Sequence, residues 1–442
     1  MVSGGPYGLE DAVGQAGYGR CLLLLIAIPI LWSLPTALMI GELASAMPEE
    51  GGFYVWVGRA LGRFWGFEEA WLSLAASIFD MALYPALFVA YLGQFAPSLT
   101  AGHRGIYWSL GLILVCALWN LRGAYSVGQG SMWMFAVLLT PFIGIVFFGL
   151  WRAAAIIPFV HHLGAPGTLG TLHLGRPGGG SITTALLVVM WNLMGWDNAS
   201  TVAREVHDPQ RNYIRAMLAA VVAVSMSYLL PVAAVAFTGM PAKMFATGAW
   251  VGAANAAAGG HWLGYAVVVG GAAAGIAIFN ALTLSYARIP AAMASDGLAP
   301  AALGRHMKNG VPWASVCACC VAWALCVGFS FDELVELNVL LYGSSLVLEF
   351  VALLVLRVRQ PDLHRPFRIP GGLPVAGLLA MGPAGLVLFA FYSARNENLG
   401  PVRTPVFLAA VVLAGPMAYY TIGAIKRLRG TAEDAASQVS GR

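Results

Sequence analysis

The sequence predicts an all-α membrane protein whose helices are interrupted near the middle of the bilayer, and three observations carry that prediction. Apolar residues make up 59% of the chain and charged residues only 10%, with a mean hydropathy of +0.75, a balance that leaves a soluble domain without a polar surface. The apolar residues fall in long runs separated by short polar loops, the pattern of repeated membrane crossings of about 20 residues each. Two of those apolar stretches are broken by glycine and carry carboxylates where lipid-facing helices carry none.

Taken in order, apolar runs bounded by charge, Gly or Pro lie at 22–46, 67–95, 106–121, 131–151, 182–204, 212–239, 262–290, 312–330, 333–356, 372–392 and 404–425, which makes eleven spans. Alternate loops hold Arg59 and Arg63; Arg122; Arg204, Arg211 and Arg215; Arg288, Arg305 and Lys308; Arg357, Arg359, Arg365 and Arg368; and Lys426, Arg427 and Arg429. The opposite loops hold Arg20, Arg104, Arg152, Arg176, Lys243, Arg395 and Arg403. The richer set is expected on the cytoplasmic side, with the C-terminus inside. Residues 1–425 are expected to form one transmembrane domain, with 426–442 as a cytoplasmic tail. Residues 152–180, rich in Gly, Pro and His, read as the longest external loop. Extended backward, the alternation places residues 18–21 outside. Only about 17 residues precede them, and these include Glu10 and Asp11. The expectation is that the first half of helix 1 is missing from this sequence, against a rival reading of a short re-entrant cap.

The broken segments are the chemical signal. Ser3-Gly4-Gly5-Pro6-Tyr7-Gly8 opens onto a short helix beginning near Glu10 and Asp11; glycine permits the turn and Pro6 removes a donor. Trp191-Asn192-Leu193-Met194-Gly195-Trp196-Asp197 interrupts a later span at a matching position. Non-helical backbone survives in a membrane only where it lines a polar cavity, and a matched pair of breaks points to a midplane binding site in a carrier of inverted repeats. Acidic groups at depth, Glu10, Asp11, Glu42, Asp80, Asp197 and Glu349, face no comparably central Lys or Arg. Glu42 reads as structural or gating, and Glu349 as a partner for Arg357 or Arg359. Glu10 and Asp11 are equally readable as the acidic first turn of a helix. Tyr84 and Tyr342 read equally as packing. Cys317, Cys319 and Cys320 lack evident partner ligands and read as small apolar packing, so neither a metal site nor a cofactor is expected.

In these same segments the chain resembles the amino acid, polyamine and organocation permeases, and within them the plant-type polyamine uptake branch. The resemblance runs through Val2 to Asp11, Trp32-Ser33-Leu34-Pro35, Glu42 to Trp56, Asp80 to Pro85, Trp191 to Glu205, Ala294 to Pro300, Asn338 to Phe350 and Arg365 to Pro370, in order along nearly the whole chain. It implies twelve helices, the first ten in two inverted five-helix repeats of the LeuT-like kind. Repeat one falls at 1–151, repeat two at 182–356 and the extra helices at 372–425. Together with the breaks, the buried acids and the aromatic side chains near them, the expectation is a secondary active transporter working by alternating access in the plasma membrane, with a candidate substrate site at Gly4, Gly5, Pro6, Tyr7, Gly8, Glu10, Asp11, Asp80, Tyr84, Trp191, Asn192, Gly195, Trp196, Asp197 and Tyr342.

Two substrate classes remain open. A polyamine needs carboxylates at both ends and aromatic faces between, as Asp80, Asp197 and the tyrosines and tryptophans around them offer. An amino acid needs its carboxylate held by backbone N–H groups at a half-helix N-terminus, which the Gly4 to Gly8 segment offers, although Glu10 and Asp11 oppose an anion there. The polyamine is favoured. Residues 131–151 contain no lysine, a residue that some members of the superfamily carry on helix 5. A coupled proton would therefore ride on a carboxylate such as Asp80, Asp197 or Glu10, whereas exchange of substrates needs none. The expected partners are a small organic cation or amino acid, protons and the lipid bilayer, with no nucleic acid. A channel would want a continuous polar helix face and a receptor a soluble signalling domain. No nucleophile and base pair recurs at one depth, so an enzyme is not expected.

Overall fold

The computed structural model describes residues 5–49, 51–163, 178–205, 209–238, 240–399 and 401–440, with the side chains of 153–163, 202–205, 209–211 and 427–440 outside the description. Apart from one two-residue hairpin, Asn398–Leu399 with Val402–Arg403, the regular structure is helical. In lipid, helices satisfy every backbone polar group within the segment, which is why so apolar a chain resolves into them.

The turn at Gly5 to Gly8 uses glycine φ values of +71° and +85° and leads into α1, Glu10–Ala16. Gly17, with φ +84°, closes α1 by donating its N–H to the Val13 carbonyl at 2.8 Å, and α2 (Tyr18–Ile28) starts at once. Residues 18–21, expected as a loop, are therefore helical, because one left-handed glycine suffices for the corner. A π-helical turn, Pro29–Ser33, joins α2 to α3 (Leu34–Ala46). Pro29 and Pro35 lack the N–H groups that a regular ladder requires there. Short α4 (Phe53–Leu61) precedes α5 (Arg63–Phe95), which is followed by α6 (Pro97–Thr100), α7 (Arg104–Asn120) and α8 (Ala124–Leu163). The helix through 163 replaces the first part of the expected loop 152–180; residues 164–177 lie outside the described residues.

Next come α9 (Ile182–Asn192), a 3-10 helix (Asp197–Glu205) and α10 (Pro209–Ala236). The expected span 182–204 is thus split at the predicted break, where Gly195 adopts φ +84°. The remaining helices are α11 (Trp250–Ala258), α12 (Trp262–Tyr286), α13 (Arg288–Ser295), α14 (Trp313–Ala324), α15 (Phe331–Arg359), α16 (Gly372–Ala394) and α17 (Thr404–Ser440). Eight segments among the described residues are long and apolar enough to cross a membrane; α7, α9 and α14 are shorter. The expected span 312–330 ends at Ala324, since the chain turns through Leu325 to Phe329 with Gly328 at φ +116°.

Burial separates core from periphery. In α5 and in the segment of α12 and α13, 72% of the apolar window is covered, and in α15 67%, against 22% in α16 and 11% in α17. The first set forms the centre of the bundle and the last two helices lean on its outside. Their exposed Leu378, Met381, Leu388, Leu413 and Met417 suit contact with lipid tails.

One end of the bundle is cross-tied by its basic loops. The Arg63 guanidinium donates to the Asp296 carbonyl at 2.5 Å, the Tyr54 hydroxyl donates to the Asp296 carboxylate at 2.5 Å, and Arg59 donates to Gln360 at 3.1 Å. Glu42, on α3, is fully buried there. It accepts from Arg357 twice, once at 2.9 Å, and from the Ile369 N–H at 2.8 Å, with Arg365 at 3.4 Å. This corrects the expected pairing of Glu349 with Arg357 or Arg359. Eight residues of helix separate Glu349 from Arg357 by about 12 Å along the axis, too far for a side-chain pair, and Arg359 turns instead to the Ala60 carbonyl at 3.5 Å. Cys319 and Cys320 pack in the core and Cys317 is exposed.

Removing one partner of a buried ion pair strands the other. Arg357→Ala is expected to cost about 3–5 kcal/mol, while Glu42→Gln with Arg357→Met recovers most of it. Thermal unfolding of the detergent-solubilised protein, followed by fluorescence-detected size exclusion, measures both.

Candidate functional site

The two breaks lie against each other and share one cavity with α5, α12 and α15. At the second, α9 runs out at Asn192, and freed backbone groups there are met by side chains. The Tyr228 hydroxyl donates to the Asn192 carbonyl at 2.9 Å, the Trp196 indole to the Leu193 carbonyl at 2.8 Å, and the Gly195 N–H donates to the Tyr342 hydroxyl at 3.0 Å. That hydroxyl in turn donates to Asp197. At the first break the Pro6 carbonyl accepts from the Trp250 indole at 2.8 Å and from the Leu9 N–H at 3.1 Å. Gly8 lies under the Trp191 ring so closely that a Cβ there would sit 2.8 Å from it. Glycine is therefore required for the approach as well as for the φ angle.

Between the breaks is a cavity of about 30 Å³, room for about two or three waters. Asp80, from the middle of α5, is its only ionisable carboxylate among the described lining residues, and no Lys or Arg lines it. Three neutral donors converge on Asp80: the Trp191 indole and the Tyr84 hydroxyl at 3.0 Å each to Oδ1, and the Tyr286 hydroxyl at 3.3 Å to Oδ2. The Tyr84 and Trp191 rings lie 6.1 Å apart, tilted by 32°, and Phe331 meets the far side of Trp191 edge-on at 5.4 Å. A carboxylate inside an aromatic box, with hydrogen bonds but no counter-charge, suits an ammonium group.

Of the residues expected from sequence, Tyr7, Asp80, Tyr84, Trp191, Asn192, Gly195 and Tyr342 line this cavity. Asp197 stands just behind the wall, held by Tyr342. Gly5, Pro6 and Gly8 form the turn beside Tyr7, while Gly4 lies outside the described residues. Trp196 is fully buried away from the cavity. Glu10 and Asp11 lie beyond the wall: Glu10 accepts from the Tyr91 hydroxyl and, at 3.2 Å, from the Gly248 N–H, and Asp11 accepts from Thr247 at 2.7 Å. Their pairing ties α1 to α5 and to the segment before α11, which a first-turn role alone does not require.

Asn198, Tyr228, Tyr286 and Asn338 also line the cavity, as does the apolar face of α12 around Gly275 and Ile278. Asn338 precedes Tyr342 by one helical turn, a spacing that was readable. Tyr228 and Tyr286 sit in apolar runs where nothing distinguishes a lining tyrosine from a packed one.

Comparison with known proteins places these features in a family. The amino acid permease family model matches residues 1–416. The rice (Oryza sativa subsp. japonica) protein named polyamine transporter PUT1 is 34% identical over 387 residues, covering 86% of this chain and 68% of its own. Polyamine transporter RMV1 of Arabidopsis thaliana is 30% identical over 418 residues, 93% of this chain and 81% of its own. The branched-chain amino acid permease BcaP of Bacillus subtilis (strain 168) is 23% identical over 416 residues, 90% and 85% of the two chains. With the match spanning almost every element that builds the broken-helix cavity, the chain belongs to the amino acid permease family, a family of transporters rather than enzymes.

Proposed function

We propose that the chain is a secondary active carrier of polyamines, diamine-like organic cations, working by alternating access around the Asp80 cavity. The observation that carries this reading is Asp80 itself, a buried carboxylate given three neutral donors and no basic side chain among the described residues of its cavity. An ammonium supplies the missing charge and gains from the Tyr84 and Trp191 faces. Asp197, one short step away behind Tyr342, offers a second carboxylate for the other end of a diamine. The relatives named polyamine transporters support the same class.

A cavity of about 30 Å³ does not hold a diamine, so loading requires it to open. Alternate opening suits a bundle of twelve helices with inverted repeats at 1–151 and 182–356 and extra helices at 372–425, whose two broken elements move against α5, α12 and α15. The basic end tied by Glu42 and Arg357 is the cytoplasmic end in this reading, which also places the C-terminus inside and the protein in the plasma membrane. Site residues in this proposal are Tyr7, Asp80, Tyr84, Trp191, Asn192, Gly195, Asp197 and Tyr342, joined by Tyr228, Tyr286 and Asn338. Transport is coupled to protons.

An amino acid permease is the second reading, favoured by the unwound glycine segments and by the relative named as a branched-chain amino acid permease. Its carboxylate would face the first break, where Glu10 already occupies the inner side with Tyr91.

Proteoliposomes preloaded with putrescine are expected to take up labelled putrescine by counterflow, with leucine and arginine failing to compete. Leucine uptake without putrescine uptake would sink the polyamine reading. Asp80→Asn is expected to weaken putrescine affinity by roughly thirtyfold or more, the effect of truncating one side of a desolvated charge pair. Tyr342→Phe removes the donor to Asp197 and the acceptor for Gly195, and a loss of about tenfold in transport at subsaturating substrate is expected, measured by initial rates.

A further inference from the structure

A polar seam runs between α5 and α15 from the cavity toward the basic end, and the substrate site does not account for it. On α5, Asp80, Ser73 and Glu69 share one face at intervals of seven and four residues. On α15, Asn338, Tyr342, Ser345 and Glu349 follow at four, three and four. The helices run antiparallel and the rungs match. Asn338 donates to the Ala76 carbonyl at 3.1 Å, the Ser73 and Ser345 hydroxyls are 3.3 Å apart, and Ser73 donates to Glu69 at 3.3 Å. The seam ends at Glu69 and Glu349, about 16 Å along the helices from Asp80 and Asn338.

Glu349 is fully buried and neither of its carboxyl oxygens has a hydrogen-bond partner among the described residues. Glu69 is fully buried as well, and its Oε2 has no partner among the described residues. Among the described residues, Asp197 is the charged group acting most strongly on each of them, Glu69 acts on Glu349 and Glu68 on Glu69, and none of these is cationic. From α10, Tyr213 is 5% exposed, its hydroxyl has no partner among the described residues, and it lies within electrostatic reach of Asp197 and Glu349. Glu68 is turned toward α17, where it approaches Gly415. Arg357, the basic group farther along α15, is committed to Glu42.

Carboxyl groups buried together without a counter-charge take up a cation rather than ionise together. Its identity follows from the width of the seam: hydroxyl oxygens 3.3 Å apart form a hydrogen-bond contact with no lumen, which an ammonium chain does not thread but a proton passes. We propose that Glu69 and Glu349 form the proton-holding site of this carrier, linked to the substrate cavity through Asp197 and Tyr342 and through the Ser73–Ser345 rung. The location rests on the transport reading above and assigns its proton to residues outside the substrate cavity. Substrate charge at Asp197 and the proton at Glu349 then act on each other reciprocally.

The test is a comparison of wild type with Glu69→Gln/Glu349→Gln and with each single variant in proteoliposomes, using putrescine, or leucine if wild type moves only leucine. Wild-type accumulation is expected to respond to an imposed pH difference at clamped membrane potential. The double variant is expected to lose that response while retaining counterflow, which also reports that it folds. Retention of the wild-type response by the double variant would overturn the proposal, as would accumulation driven by a sodium gradient and indifferent to pH. Should counterflow vanish in the double variant, the single variants carry the same comparison. Infrared difference spectra on the purified protein decide independently of transport. A protonated carboxyl band present at neutral pH in wild type and missing in the double variant is the expected result; identical spectra refute it. If wild type moves neither substrate, the transport reading fails while the infrared comparison still decides where the proton sits.

Discussion

A single uncompensated carboxylate at the centre of α5 governs the arrangement around it. Asp80 lies where an isolated charge is most costly, and the structure answers with hydrogen bonds from an indole and two phenols rather than with a basic side chain. A lysine or arginine in the same place would settle the charge permanently and leave nothing for a ligand to do. Neutral donors hold the carboxylate in position while leaving its charge to be met from outside. The aromatic box follows from the same need, because the groups that donate from apolar helices without disturbing them are Tyr and Trp.

The broken helices obey a related constraint. Each interruption frees backbone donors and acceptors inside lipid, and each freed group described above is claimed by an aromatic side chain: Trp250 at the first break, Tyr228, Trp196 and Tyr342 at the second. Three of these, Tyr228, Trp250 and Tyr342, come from α10, α11 and α15, so the breaks are tied to helices distant in sequence, while Trp196 closes its own break locally. A movement of either broken segment must exchange those hydrogen bonds, and Tyr342, bonded to both Gly195 and Asp197, links backbone geometry to the charge of the site.

How much of this was readable beforehand varied with the physics of each feature. The breaks were plain because only glycine and proline produce them, and Gly8 and Gly195 indeed adopt positive φ. Asp80 and Trp191 stood out as polar groups in apolar runs, and seven of the expected site residues meet at one cavity. Tyr228 and Tyr286 did not stand out, since a tyrosine in an apolar helix carries the same local signature whether it packs or binds. The partner of Glu42 was hidden for a different reason. Arg357 is 315 residues away, and the local rule that suggested Glu349 for it ignored the rise of the helix. Helix ends were legible only roughly, as the forty-residue α8 and the short α14 show, because hydropathy falls off gradually while hydrogen bonding stops at a definite residue.

The contrast between Glu42 and Glu349 separates two uses of a buried acid that composition alone merges. Both are fully buried, both lie in the half of the bundle nearer the basic loops, and both were read from sequence as structural. Glu42 has two guanidinium groups and a backbone N–H around it, so its charge is permanently balanced and its work is to fasten α3 to α15 and to the loop that follows. Glu349 has no hydrogen-bond partner among the described residues and has another carboxylate nearby. A tie with balanced charge gains nothing from a change of occupant, whereas an unbalanced acid is neutral only while something occupies it. In the proposed cycle, which takes up and releases charged cargo, the unbalanced acids are the ones able to register each step. Asp80 and Glu69 lie on α5 and Glu349 on the facing α15, with Asp197, at the second break, held to α15 by Tyr342.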